Sequence, residues 1–250
     1  MAWGPLVHEP VSSLRFGRVL FVELAPPAAD RPGRYRDVLG RDSRPAERAH
    51  FSAPEAAARA VLTELERGAA ADAVVFGGAG DPLRHRGLGS ILRTLRTRAH
   101  VATVVLTDGR LLADRDVRRE VSEAALVVAW LPSVEDPAAG ASAAERRDRF
   151  ERHVENLASL AREHPVPIAV ELPVVPGESD SATSREAWRR AVARIRPERI
   201  LVIPGLGASA AENLADALER VRGDLPPRAG AFLDDGTLVD RRDFDPAERT

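Results

Sequence analysis

Apolar runs of four to seven residues alternate along the chain with segments of helical spacing. The runs are Arg18–Leu24, Asp72–Gly78, Val101–Leu106, Leu126–Trp130, Ile168–Leu172 and Ile200–Ile203, and each reads as a buried strand. Between them lie helical stripes. Ser52-Ala-Pro-Glu55 reads as a capping box ahead of Ala57, Val61, Leu62 and Leu65. Leu88, Ile91, Leu92 and Leu95 space a second helix, and Asp114 caps a third that carries Val117 and Val121. A longer helix runs from about Ser142 to Glu163, with Phe150, Val154, Leu157 and Ala161 on one face. Trp188, Val192 and Ile195 mark the fifth, and Ser209-Ala-Ala-Glu212 opens a sixth with Leu214, Leu218 and Val221 inward. Six strands separated by helices imply an α/β fold with a parallel sheet and right-handed crossovers. Periodicity leaves both an open doubly wound sheet and a barrel standing. Ala231–Val239 reads as a hairpin turning at Asp235-Gly236, followed by a frayed tail.

The 250 residues suit one barrel-like domain or two smaller ones, and 44% hydrophobic content is enough for a sizeable core. The 36 basic and 38 acidic residues nearly cancel, which argues against a general nucleic-acid surface. No run approaches the roughly 18 apolar residues of a membrane span, and the N-terminus lacks a signal-peptide pattern. The expectation is a soluble cytoplasmic protein. Cysteine is absent, which removes Fe–S clusters, thiolate zinc sites, disulfides and cysteine nucleophiles. Lysine is absent too, and with it Schiff-base chemistry and the Walker-type phosphate contact. The abundance of Arg, Ala, Gly and Pro points to GC-rich coding as the reason for the missing lysine.

The first strand ends at Pro26-Pro27, and about 25 residues without periodic structure follow, long enough for a functional loop. Around that loop stand Gly4-Pro5, then Arg15-Phe-Gly17-Arg18-Val-Leu-Phe-Val-Glu23-Leu24-Ala-Pro26, and finally Leu39-Gly40-Arg41. This frame resembles a subgroup of small Fe–S oxidoreductases among the radical S-adenosylmethionine (SAM) enzymes. Their N-terminus runs Gly-Pro, Arg-x-Gly-Arg-x-Leu-Gly-Val-Asp-Leu-x-Pro, Cys-x-x-x-Cys-x-x-Cys, and then Leu-Gly-Arg. The three cysteine positions fall on Asp30, Arg34 and Asp37, which are not soft ligands for a [4Fe–4S] cluster.

The resemblance covers roughly residues 4 to 205 and implies a partial (β/α)6 TIM-type barrel over 1–225, parallel strands inside and helices outside. It leaves 226–250 as a short hairpin and tail. Gly77-Gly78-Ala-Gly80-Asp81-Pro82 resembles the Ser-Gly-x-Gly-Glu-Pro turn, which in the family holds the methionine end of SAM. Asp108 in Thr107-Asp-Gly-Arg110 and Glu171 on the fifth strand complete the cofactor-facing set that the resemblance implies. Each glycine turn has a plain structural reading as well, since only Gly fits a tight strand-to-helix turn. Gly177-Glu-Ser-Asp180-Ser181 fits a further family turn, Gly-Ile-Asn-Asp-Ser.

Other positions depart from the pattern. Trp130 replaces a small hydroxyl, Pro132 an acid and Pro176 a basic residue, and Leu201-Val-Ile203-Pro204 removes three polar groups. Shifting the alignment to use Ser133 would restore the polar pattern. His8, His85, Asp30 and Asp37 are ligand types for a divalent cation, but Arg34 between the acids favours an Asp–Arg–Asp salt-bridge set.

The resulting expectation is a radical-SAM-like protein without its cluster. It would act as a non-catalytic accessory or regulatory subunit beside a cluster-bearing enzyme of the same pathway, with no nucleic-acid or membrane partner. Two other readings stand: a binder of SAM or another small molecule, and an enzyme using acids such as Asp81, Asp108 and Glu171 for non-radical chemistry.

Overall fold

The computed structural model describes residues 5–13, 15–26, 47–68, 70–78, 80–135, 142–205, 213–226 and 229–231. Two short strands, β1 (Leu6–Val7) and β2 (Val11–Ser13), lie antiparallel to β3 (Gly17–Glu23). Then follow α1 (Pro54–Glu66), β4 (Ala73–Phe76), α2 (Leu88–Arg98), β5 (Ala102–Thr107), α3 (Arg115–Val121) and β6 (Leu126–Trp130). The chain continues through α4 (Ala143–Glu163), β7 (Ile168–Val174), α5 (Ala182–Ile195), β8 (Arg199–Pro204), α6 (Leu214–Gly223) and β9 (Ala229–Ala231). From β3 to β9 the strands pair in sequence order, all parallel. Among the described residues β9 does not pair back to β1 or β2, so the sheet is an open, barrel-like α/β array.

The six apolar runs are the six strands β3 to β8, within one or two residues at each end. The sequence reading falls short at both margins. It sees no antiparallel pairing, yet β1 and β2 line the outer edge of β3. It also ends the parallel series at six, yet β9 adds a seventh strand against β8. Strands of two and three residues, one of them Ala-Gly-Ala, carry too little apolar signal to stand out. The hairpin expected at 231–239 lies outside the described residues beyond Ala231. Pro5 and Pro10 flank β1, and proline on an edge strand discourages a further chain from pairing there.

Alternation along the strands makes two apolar layers. Leu20, Val22, Val74, Phe76, Val105, Val127, Ala129, Val170, Leu172, Ile200 and Val202 face the helices and form the larger core. Val19, Val75, Val104, Leu106, Val128, Trp130, Ala169, Leu201 and Ile203 form a second cluster on the concave face. The helices are anchored by bulky residues: Trp188 of α5 is fully buried and its indole N–H donates to the Pro132 carbonyl at 2.9 Å. Among the described residues no helix is long and apolar enough to cross a membrane.

Helix ends follow local chemistry. Asp114 accepts from the Asp116 amide at the start of α3, as its position predicts, and Ser142 with Glu145 forms a full capping box on α4. The box expected at Ser52 does not form. The N-cap of α1 is Ala53 with no side-chain bond, and the Ser52 hydroxyl is 3.2 Å from His85 Nε2 instead. Helix α5 ends on Arg196 in the left-handed conformation (φ 56°). A Cβ is costly there, so Arg196→Gly is expected to stabilise the protein by about 0.5–1 kcal/mol, read as a higher urea midpoint.

Candidate functional site

The C-terminal ends of β4 and β5 bring together five of the six residues expected to face a cofactor: Gly77, Gly78, Gly80, Asp81 and Asp108. The glycines are required by the protein's own packing. A Cβ on Gly80 would lie 2.3 Å from the carbonyl oxygens of both Ala25 and Pro26, so this turn presses against the chain leaving β3. Gly78 has φ +108° and a Cβ there would strike the Glu23 side chain at 2.4 Å. A Cβ on Gly77 would meet Leu106 and the Phe21 ring at 3.0 and 3.3 Å.

Asp81 caps the short 3-10 turn Pro82–Arg84, its Oδ1 accepting from the Leu83 amide at 2.7 Å. Its Oδ2 accepts from the Thr107 hydroxyl at 2.7 Å and the Asp108 amide at 2.8 Å. Both oxygens are thus directed into the junction between the two strand ends. Asp108 in turn accepts from the Arg110 amide (3.0 Å), its Nε (2.8 Å) and its Nη2 (2.7 Å). Gly109, at φ +75°, gives the bend that returns Arg110 to Asp108, and the His153 ring packs 2.7 Å from where its Cβ would be. His153 Nε2–H donates to the Trp130 carbonyl at 2.7 Å, tying α4 to the end of β6. Arg84 donates to the Pro26 carbonyl at 2.5 Å and lies over the Phe51 ring at 5.2 Å.

The two carboxyls differ in charge. Burial, then the neighbouring Asp108 anion, push Asp81 up to about 8. Burial alone would raise Asp108 as well, but the ion pair and hydrogen bonds from Arg110 bring it below the ordinary carboxylate range. Of the two, Asp81 is thus the readier to hold a proton and Asp108 the one held ionised. Burial lowers His153 and His85, so both imidazoles are held neutral.

Glu171 stands apart from this group. It is fully buried on the concave face and forms an ion pair with Arg15, whose side chain is only 3% exposed. Trp130 also turns to the concave face, within the cluster of Val128, Ala169, Leu201 and Ile203. The Ser133 hydroxyl lies 2.7 Å from the Ser184 hydroxyl and accepts from the Glu135 amide. Pro132 receives Trp188 through its carbonyl, and Asp180 pairs with Arg220 at 2.6 Å. His8 meets Glu23 at 3.1 Å, whereas buried His85 lies among Ser52, His50 and Phe51. Among the described residues no three His, Asp or Glu side chains gather as a metal site. Asp30, Arg34 and Asp37 lie outside the described residues.

Sequence reasoning missed three participants. Arg15 entered only as part of a terminal match, and its partner is 156 residues away. His153 sits on a helix face that otherwise reads as core, and Arg110 follows an Asp-Gly turn that explains itself locally.

No family model matches the sequence, and no curated protein does. Among solved structures, a domain of pyruvate-formate lyase-activating enzyme from Bacteroides vulgatus aligns with 63% of this chain and 97% of its own, at 18% identity and TM-score 0.46. A radical SAM methyltransferase from Sphaerobacter thermophilus aligns over 70% of this chain and 54% of its own, at 17% identity and TM-score 0.46. HMG-CoA lyase from Brucella melitensis aligns over 74% and 66%, at 13% identity and TM-score 0.46. These likenesses concern the path of the chain alone.

A carboxyl whose folded pKa is raised favours folding at low pH, and that contribution is lost as pH rises from about 3.8 through about 8. Stability of the wild type relative to Asp81→Asn is therefore expected to decline across that range. Urea midpoints of both proteins at several pH values check it; parallel profiles would contradict the raised value. The depressed histidines act oppositely, losing stability as pH falls below 6.5, but they are common to both proteins.

Proposed function

We propose that this protein is a radical-SAM-like barrel that performs no radical chemistry and serves as a cytoplasmic accessory or regulatory subunit. Its partner in this reading is a cluster-bearing enzyme of the same pathway. The observation that carries the proposal is the commitment of the Gly-Asp turn to the chain itself. Asp81 uses both oxygens on Leu83, Thr107 and Asp108, and Gly80 is pressed against Ala25 and Pro26. A turn that holds a ligand's ammonium needs an outward, ionised carboxylate; this one is turned inward and raised in pKa.

The donor set does not fit a [4Fe–4S] cluster, because the sequence contains no cysteine. The concave face supports the same reading, since Trp130 and the Arg15–Glu171 pair occupy it. What remains is a rigid α/β body whose specificity would lie in its surfaces and loops.

Calorimetric titration with SAM, on the wild type and on Asp81→Ala, tests this. The expected result is no saturable heat from either protein. Micromolar binding that disappears in Asp81→Ala would overturn the proposal and make the turn a working SAM site.

A further inference from the structure

The described sheet is open, yet one contact crosses its concave face. Arg15, in the turn between β2 and β3, forms its ion pair with Glu171 of β7. Four strand spacings separate β3 from β7 along the sheet, about 19 Å of arc at the usual spacing. A direct side-chain contact over that arc requires the sheet to curl and the turn to project into the hollow. Both conditions are met, for the two side chains are 3% and 1% exposed. The Phe16 ring lies 5.8 Å from the Arg15 guanidinium and packs against the concave cluster.

A charge pair this deep is costly to desolvate, and an apolar pair would fill the space at lower cost. Its geometry gives it a role that hydrophobic residues cannot fill with direction: Glu171 sits on β7 as an acid wall, and Arg15 enters from the strands' N-terminal end. We infer that the hollow of the barrel contains a guanidinium site that the chain fills with its own Arg15, and that this internal plug ties β3 to β7 and holds the open sheet curled. The plug is the intramolecular counterpart of a cationic ligand. It occupies the barrel interior by chemistry unrelated to the Gly-Asp turn, so it does not depend on the accessory role, and SAM titration does not report on it.

The test is chemical rescue. Arg15→Ala removes the buried guanidinium beside Glu171 and is expected to lower Tm by about 10 °C. Millimolar methylguanidinium should then raise the Tm of Arg15→Ala while leaving the wild type and the Arg15→Ala/Glu171→Gln double variant unchanged. Failure to rescue, or equal effects on all three proteins, would overturn the inference. A second arm covers the case where Arg15→Ala does not fold. Glu171→Gln keeps the shape and removes the charge, and amide hydrogen exchange at Phe16 and Gly17 should accelerate at least tenfold. Unchanged exchange there would sink the idea that the pair holds the turn in place.

Discussion

An open parallel sheet has no closing ladder of hydrogen bonds, so its curvature rests on strand twist and on what packs against its two faces. In this protein the buried ion pair between Arg15 and Glu171 makes a connection across the concave face. Its consequences spread outward. Strands β3 to β8 alternate between the hollow that the pair spans and the helices outside, so each residue has a fixed layer. Helices α1 to α5 then pack on the convex side through the crossovers that parallel strands demand.

The strand ends show how fold and chemistry compete for the same groups. At the mouth of a barrel of this kind, polar side chains are available for ligands because the strands below them are already satisfied. Here Asp81, Thr107, Asp108 and Arg110 satisfy one another, and the glycines beside them are filled by neighbouring backbone and side chains. Two adjacent carboxyls stay close because Arg110 pairs with Asp108 while burial raises Asp81 toward its protonated form. The result is a stiff joint between β4 and β5.

Much of this architecture could be read directly from the residues. β5 and β8 are apolar runs too short for a helix, and α4 carries both its stripe and its cap in the sequence. Elements decided by pairing rather than composition could not be read this way. β9 is three small residues that become a strand only because β8 offers an edge. Ser52 has the spacing of a cap, but a buried histidine from another segment competes for its hydroxyl. At the candidate site the turn was legible, because glycines and an acid at that spacing mark a special backbone. Where the Asp81 oxygens point was not legible, since that depends on Thr107 of the adjacent strand. Glu171 was legible as an acid in an apolar strand, and its partner was not, because nothing local links it to Arg15.

Trp130 carries a consequence for reversibility. Thiolates placed at positions 30, 34 and 37 would leave the concave face as filled as before. The indole still lies among Val128, Ala169, Leu201 and Ile203, and the Asp81 carboxyl still belongs to Thr107 and Asp108. Opening the hollow and freeing the turn would require changes on several strands at once. A side chain that fills a hollow well therefore acts as a ratchet, holding the protein to whatever role it now has.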